Sequence, residues 1–196
     1  MQENRKFDLI IVGLGPVGAV VANLLAQLNI SILVIEKNKD IHPTPRAIHF
    51  DGEIMRIFQN IGLSSSIKKI ARPSFQGMHF VDKNNKTLLV RKANKDIGDQ
   101  GWHNNWYFFQ PELEKILRNG LNRFNNVSFR LGENLIKIKD FKNNCILTTN
   151  CAVSNKKKSY LGKWIIGCDG TKSLVSNKIS KKVTDFGFDE KWLVID

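Results

Sequence analysis

The chain has 196 residues, 42% of them hydrophobic, and carries 30 Lys and Arg residues against 18 Asp and Glu, a formal net charge of +12. This apolar content supports one substantial core, or one domain and the start of another, and excludes a disordered or collagen-like chain. The basic residues are mostly lysines scattered along the chain, as in a solvated surface, so we expect no nucleic-acid partner.

The cysteines and the uncharged N-terminal stretch each exclude a class of protein. Cys145, Cys151 and Cys168 have neither C-x-x-C spacing nor a histidine at metal-ligand spacing, which predicts reduced thiols in the cytoplasm and no metal site. The 27 uncharged residues between Asp8 and Glu36 are long enough to span a bilayer. Glycines and polar residues divide the stretch into pieces that differ in the spacing of their apolar residues. We therefore expect no membrane span.

The uncharged stretch predicts a strand, a glycine turn, a helix and a second strand. Residues 7–12 are rich in Ile and Val, as in a buried parallel strand, and the turn at 13–18 follows them. Apolar spacings of three and four then predict a helix that ends at Asn29 in a left-handed cap. Residues 31–35 form the second predicted strand, and Glu36 comes directly after it.

In this context the glycines form the G-x-G-x-x-G fingerprint of dinucleotide-binding folds. Gly13 permits the tight turn, Gly15 lets a pyrophosphate approach the backbone, and Gly18 lets the helix pack closely on the strands. Pro16 suits the first helical position, and the helix N-terminus offers free N–H groups to phosphates. Glu36 is placed to bind an adenosine ribose and disfavours a 2′-phosphate there, so NADP is not expected in this site. The fingerprint alone leaves FAD and NAD open.

The chain after Glu36 departs from the repeating strand and helix units of a dehydrogenase. A loop containing Arg46 leads to a helix capped by Asp51, and two strands, 75–81 and 87–91, flank an asparagine turn. The remaining predicted elements are a helix from Gln110, a small antiparallel meander of 127–131, 135–138 and 146–153, and a buried strand at 163–168. The aromatic residues at 102–109 are expected to pack a domain interface near the cofactor rather than to stack on bases.

These landmarks, in this order, resemble the N-terminal part of class A flavoprotein aromatic hydroxylases. They are the stretch from Asp8 to Gly18, Pro45-Arg46-Ala47-Ile48, Phe58 to Gly62-Leu63, Phe109-Gln110-Pro111 with Leu113-Glu114, Gly167-Cys168-Asp169-Gly170 with Ser173, and Trp192-Leu193-Val194-Ile195-Asp196. The resemblance implies an α/β fold: a Rossmann-like FAD-binding domain at 1–185, with a parallel sheet, helices and a small antiparallel β meander. It also implies the beginning of a truncated substrate-binding β-sheet domain at 186–196.

The resemblance further implies a monooxygenase activity. Enzymes of this class use NADH or NADPH to reduce bound FAD, which reacts with O₂ to form a flavin hydroperoxide that hydroxylates a small phenolic or other aromatic substrate. The expected partners are that substrate and either a missing C-terminal half or a homo-oligomer. Two alternatives stay open: a non-catalytic FAD- or nucleotide-binding remnant or subunit of a split enzyme, and an NAD-dependent dehydrogenase.

Three site residues rest on the resemblance. It implies that Arg46 lies near the flavin and pyrophosphate, that Gln110 contacts FAD, and that Asp169 contacts FAD and affects pyridine nucleotide use. Ser176 stands where the family usually has an arginine after the Asp-Gly motif, and Lys172 and Lys178 are candidates to replace its charge. No catalytic residue is assigned. The full expected cofactor-binding set is Gly13, Gly15, Pro16, Val17, Gly18, Glu36, Lys37, Arg46, Gln110 and Asp169.

Overall fold

The computed structural model of the protein describes residues 6–179 and 183–191. Its strands are β1 (Lys6–Val12), β2 (Ile32–Glu36), β3 (His49–Phe50), β4 (Arg72–Pro73), β5 (Met78–Val81), β6 (Thr87–Arg91), β7 (Trp106–Tyr107), β8 (Val127–Leu131), β9 (Glu133–Phe141), β10 (Asn144–Cys151) and β11 (Lys157–Gly167). Its helices are α1 (Pro16–Ala26), α2 (Gly52–Asn60), α3 (Ser64–Ile67), α4 (Gln110–Gly120) and α5 (Leu174–Ile179), and a 3-10 turn, Leu121–Arg123, follows α4. The strand predicted at 192–195 lies outside the described residues.

The main sheet has six strands in the order β8-β2-β1-β11-β10-β9. The first half is parallel: β2 pairs with β8 and β1, and β1 pairs with the end of β11 up to Gly167. The second half is antiparallel, because the beginning of β11 pairs with β10, and β10 pairs with β9. The α/β class, with a parallel sheet and a small meander, is therefore as predicted.

The predicted membership of the meander is wrong in one strand. Val127–Leu131 lies parallel to β2 at the edge of the sheet, and the meander consists of β9, β10 and β11. Parallel pairing needs a long crossover connection, which the segment between β2 and β8, including α4, provides. Only Gly132, with a φ of 73°, lies between β8 and β9, and one residue cannot form the usual two-residue hairpin turn between them. The chain instead changes direction at Gly132 and leaves the parallel half of the sheet.

The strands β1 and β2 are buried on both faces, which explains their continuous apolar sequence. Leu9, Ile11, Ile32 and Val34 face a core formed with the helices, whereas Ile10, Val12, Leu33 and Ile35 face a second core formed with the meander. Alternation along each strand distributes the side chains between the two cores. No helix in the described part of the chain combines the length and apolarity needed to cross a membrane.

The excursion between β2 and β8 packs on the helix side of the sheet. Asp51 caps α2 as predicted, with its side chain accepting a hydrogen bond from the N–H of Ile54 at 3.0 Å. The predicted strand at 75–81 is shorter, because Gly77 takes a φ of 76° and β5 begins after it. Trp106 is buried in the helix-side core, stacked on Phe50. The aromatic segment therefore contributes to the core of this domain.

Candidate functional site

A cleft of about 460 Å³ opens at the carboxyl ends of β1, β2 and β11. This edge is where open α/β sheets bind ligands. Eight of the ten predicted site residues line the cleft: Gly13, Gly15, Pro16, Val17, Glu36, Lys37, Arg46 and Asp169. The other two, Gly18 and Gln110, are not among the lining residues and support the cleft from neighbouring positions.

The three glycines of the turn meet three different surroundings. Gly13 has a φ of 99°, and a Cβ there would collide with the carbonyl oxygen of Cys168. A Cβ on Gly18 would collide with the carbonyl oxygen of Gly13, so helix α1 approaches the turn as closely as its backbone allows. A Cβ on Gly15 would have no atom within 4 Å. Gly15 therefore leaves space in the cleft that the folded chain itself does not use.

Helix α1 begins at this space. Pro16 occupies its first turn, Gly15 is the N-cap residue, and no side chain caps the helix. The first turn contains no acidic residue. The N–H groups at the start of the helix, together with the positive end of its dipole, therefore favour an anion in the cleft.

Glu36 closes the opposite side of the turn and is buried. One carboxylate oxygen accepts a hydrogen bond from the N–H of Leu14 at 2.7 Å, and the other accepts one from the N–H of Asn38 at 2.8 Å. A carboxylate has about four acceptor positions, so these two bonds leave capacity for a ligand hydroxyl. The sequence predicts a ligand role for Glu36, and the structure adds a role in fixing the turn.

Helix α4 carries a ladder of polar residues toward the cleft, of which Gln110 and Glu114 are buried and Arg118 is partly buried. The Gln110 side-chain oxygen accepts hydrogen bonds from the N–H groups of Arg46 and Ala47 at 2.8 and 2.9 Å, and its nitrogen donates to Glu114 at 2.8 Å. Glu114 also forms an ion pair with Arg118 at 3.5 Å. Gln110 thus holds the loop that carries Arg46.

The last member of the ladder reaches the glycine turn. Arg118 donates a hydrogen bond from Nε to the carbonyl oxygen of Leu14 at 3.2 Å and lines the cleft together with Glu114. The sequence predicts no role for Glu114 or Arg118. Gln110, Glu114 and Arg118 follow one another at intervals of four residues, and this spacing is the signal that could have revealed them, because such residues share one face of a helix.

Asp169 both lines the cleft and caps α5. Its carboxylate accepts hydrogen bonds from the Ser173 hydroxyl at 2.5 Å and from the N–H of Leu174 at 2.8 Å. Lys172 lines the cleft, whereas Lys178 lines a separate hollow beside β10 and β11. Of the two lysines considered as replacements for the arginine charge, only Lys172 is in position to face a ligand in the cleft.

Glu133, at the beginning of β9, is a further buried carboxylate that lines the cleft, and the sequence predicts no role for it. It accepts hydrogen bonds from Thr149 Oγ1 at 2.7 Å and from the Tyr160 hydroxyl and Lys158 Nζ at 2.8 Å each. Burial alone would raise the pKa of Glu133, but these donors outweigh burial and lower the pKa below its ordinary value. Burial, and then the bond to Glu133, raises the pKa of Tyr160.

Known proteins are similar to this chain in sequence and in fold. The family described as FAD binding domain matches residues 6–196. A 3-(3-hydroxy-phenyl)propionate/3-hydroxycinnamic acid hydroxylase of Escherichia coli O139:H28 is 28% identical over 193 residues, which are 98% of this chain and 34% of the relative. A probable NADH-specific resorcinol 4-hydroxylase of Rhodococcus jostii is 30% identical, with 98% of this chain and 36% of the relative covered. The chain thus spans about a third of the length of these relatives.

Solved structures show the same fold. The p-nitrophenol 4-monooxygenase PnpA from Pseudomonas putida superposes with a TM-score of 0.80 at 22% identity, covering 91% of this chain and 44% of that one. The flavin-dependent monooxygenase PieE, solved with FAD and substrate, gives a TM-score of 0.78 at 18% identity, covering 89% and 32%. The family match decides between the two cofactors that the fingerprint leaves open, and the chain belongs to the FAD-binding domain family.

Proposed function

We propose that this chain binds FAD in the cleft and forms the FAD-binding part of a monooxygenase that hydroxylates a phenolic or other aromatic compound with NAD(P)H and O₂. The observation that carries the proposal is the unused space at Gly15, bordered by the uncapped N-terminus of α1 and by Glu36. An anion-binding helix end and a buried acid beside one open glycine match the diphosphate and ribose of an adenine dinucleotide.

Different lining residues would contact different parts of the cofactor. The N–H groups of the first turn of α1 would hold the diphosphate, and the free acceptor positions of Glu36 would hold the adenosine ribose. Arg46 and Lys172 add positive charge, and Asp169 adds a hydrogen-bond acceptor. When bound, FAD supplies the redox chemistry between the nicotinamide and O₂, while the protein orients it and excludes water.

Substrate binding belongs, in this proposal, to regions outside the matched part. About two-thirds of the length of the hydroxylase relatives has no counterpart in the 196 residues. We assign the aromatic site to such a remainder, either in the same polypeptide or in a separate subunit. Phenols such as resorcinol and 3-(3-hydroxyphenyl)propionate, which the names of the relatives give, are the first substrates to test.

The test begins with the purified protein. A flavin absorption spectrum, with FAD released on heat denaturation, is the expected result, and a colourless protein that takes up no added FAD would refute the proposal. Oxidation of NADH or NADPH, accelerated by one of the two phenols, would support catalysis by the protein. FAD binding without NAD(P)H oxidation would instead favour the non-catalytic alternative. Ser176 also favours that alternative, because it lacks the charge of the arginine that the family usually has at this position.

A further inference from the structure

Arg118 differs from the other cations of the cleft in its burial. Four cationic side chains from the described residues line the cleft: Lys37, Arg46, Arg118 and Lys172. The other three are exposed, whereas the Arg118 side chain retains 15% of its accessible surface. A partly buried cation interacts with an anion more strongly than an exposed one, because water screens it less.

The direction of the Arg118 guanidinium is fixed from two sides. Its Nε bonds the carbonyl of Leu14, the residue between Gly13 and Gly15, and its Nη2 meets the buried carboxylate of Glu114. Glu114 is itself held by the amide of Gln110. A guanidinium has five N–H donors, and these contacts use two of them, which leaves donors for a ligand.

We propose that Arg118 is a ligand of the cofactor diphosphate and that Glu114 is a positioning residue that aims it. The assignment rests on the proposed function, whose phosphate site it extends from helix α1 to helix α4. Arg118 is anchored on the glycine turn itself, beside the uncapped end of α1, where the diphosphate charge is expected. A planar guanidinium suits two neighbouring phosphate oxygens better than an ammonium does.

The test compares two probes that differ only in the diphosphate. We expect Arg118→Met to weaken the binding of ADP by about 10- to 100-fold, the range for hydrogen bonds to charged groups. The affinity for adenosine should change by less than about twofold, because neither phosphate is present. Calorimetric titration of each probe into the full chain measures both affinities. Lys115→Met, which removes the same charge from an exposed position of the same helix, is the matched control and should leave both affinities unchanged.

A second variant distinguishes a ligand-binding role of Arg118 from a purely structural one. Arg118→Lys keeps the charge without the planar fork, so it should recover part of the ADP affinity that Arg118→Met loses. Thermal unfolding without ligand would verify that both variants fold. Equal losses for ADP and adenosine, or unchanged ADP affinity in Arg118→Met, would overturn the assignment.

Glu114 is tested through its coupling to Arg118. Glu114→Gln should weaken ADP binding in the wild-type background and have little further effect when Arg118 is already Met, because its action passes through that guanidinium. Additive losses would overturn the positioning role. If the wild type binds ADP through Arg118 but no FAD, the proposed function fails and this assignment stands. If FAD binds and is indifferent to Arg118→Met, the proposed function stands and this assignment fails.

Discussion

Two buried carboxylates line the same cleft from opposite halves of the main sheet, and the chain holds them in different ways. Glu36, in the parallel half, accepts hydrogen bonds from the main-chain N–H groups of Leu14 and Asn38. Glu133, in the antiparallel half, accepts hydrogen bonds from three side chains, one of them the ammonium of Lys158.

The difference separates a carboxylate suited to a ligand from one suited to stability. Neutral main-chain donors fix the position of Glu36 and leave its negative charge and some acceptor positions for a hydroxyl in the cleft. The donors of Glu133 neutralise its charge and occupy most of its acceptor positions. We therefore expect loss of the Glu36 carboxylate to affect mainly cofactor binding and loss of the Glu133 carboxylate to affect mainly folding.

The largest effect is expected at the turn that positions Glu36. Gly13→Ala should lower the free energy of unfolding by about 3–5 kcal/mol, because it combines an unfavourable positive φ with a collision against a backbone carbonyl. Gly15→Ala is the matched control: it should keep the stability of the wild type and weaken FAD binding. Urea unfolding and FAD titration measure the two properties, and a Gly13→Ala variant as stable as the wild type would contradict the turn geometry.

Glu133→Gln should cost about 2–3 kcal/mol of stability, because it leaves the buried hydroxyls of Thr149 and Tyr160 with a weaker acceptor and the exposed Lys158 ammonium without its carboxylate. FAD affinity should stay within about threefold of the wild type, since hydrogen bonds already occupy the carboxylate. Urea unfolding and FAD titration give the two numbers. A large loss of FAD affinity at unchanged stability would reverse the roles of the two carboxylates.

The pH dependence of stability offers a second view of Glu133. Its pKa is lower in the folded state, so its stabilising effect is complete above the unfolded-state pKa and is lost as the pH falls through the folded-state value. The stability of the wild type should therefore decline below about pH 4.5, the ordinary value for a glutamate. The free energy of unfolding of Glu133→Gln should decline less steeply with falling pH than that of the wild type. If urea unfolding gives the same decline for both proteins, Glu133 contributes nothing to the pH dependence.

Glu36→Gln should show the opposite pattern from Glu133→Gln. FAD affinity should fall about tenfold, because an amide is a weaker acceptor for the ribose hydroxyls than a carboxylate. Stability should fall by only about 1 kcal/mol, the value of one main-chain hydrogen bond. Fluorescence titration of FAD gives the affinity, and an unchanged dissociation constant would remove Glu36 from the site.

The smallest effect is expected at Cys151, a thiol of the meander that lies opposite Glu133 in the β9–β10 register. Hydrogen bonds from the Ser154 hydroxyl and from neighbouring N–H groups lower the pKa of Cys151 to about 7. Alkylation of Cys151 by iodoacetamide should therefore reach half its maximal rate near pH 7, and Ser154→Ala should raise that midpoint. Burial raises the pKa of Cys145 and Cys168, which should react slowly. A Cys151 midpoint near pH 9 would contradict the local hydrogen bonding.

The sequence predicted the parallel half more completely than the meander, and the reason is physical. The glycines, the helix period and Glu36 lie within one short strand-turn-helix-strand unit, where local conformation decides the structure. Glu133 depends on donors from β10 and β11, so its role follows from strand register that no local pattern reveals. The direction of β8 likewise depends on a long-range pairing with β2.

The central claim, that FAD occupies the cleft between the glycine turn and Glu36, is tested most directly by hydrogen–deuterium exchange of the protein with and without FAD. We expect FAD to slow exchange at residues 13–18 and 36–38 and around Asp169, and to leave the β5–β6 hairpin unchanged. Protection confined to other segments, or no protection at saturating FAD, would contradict the claim.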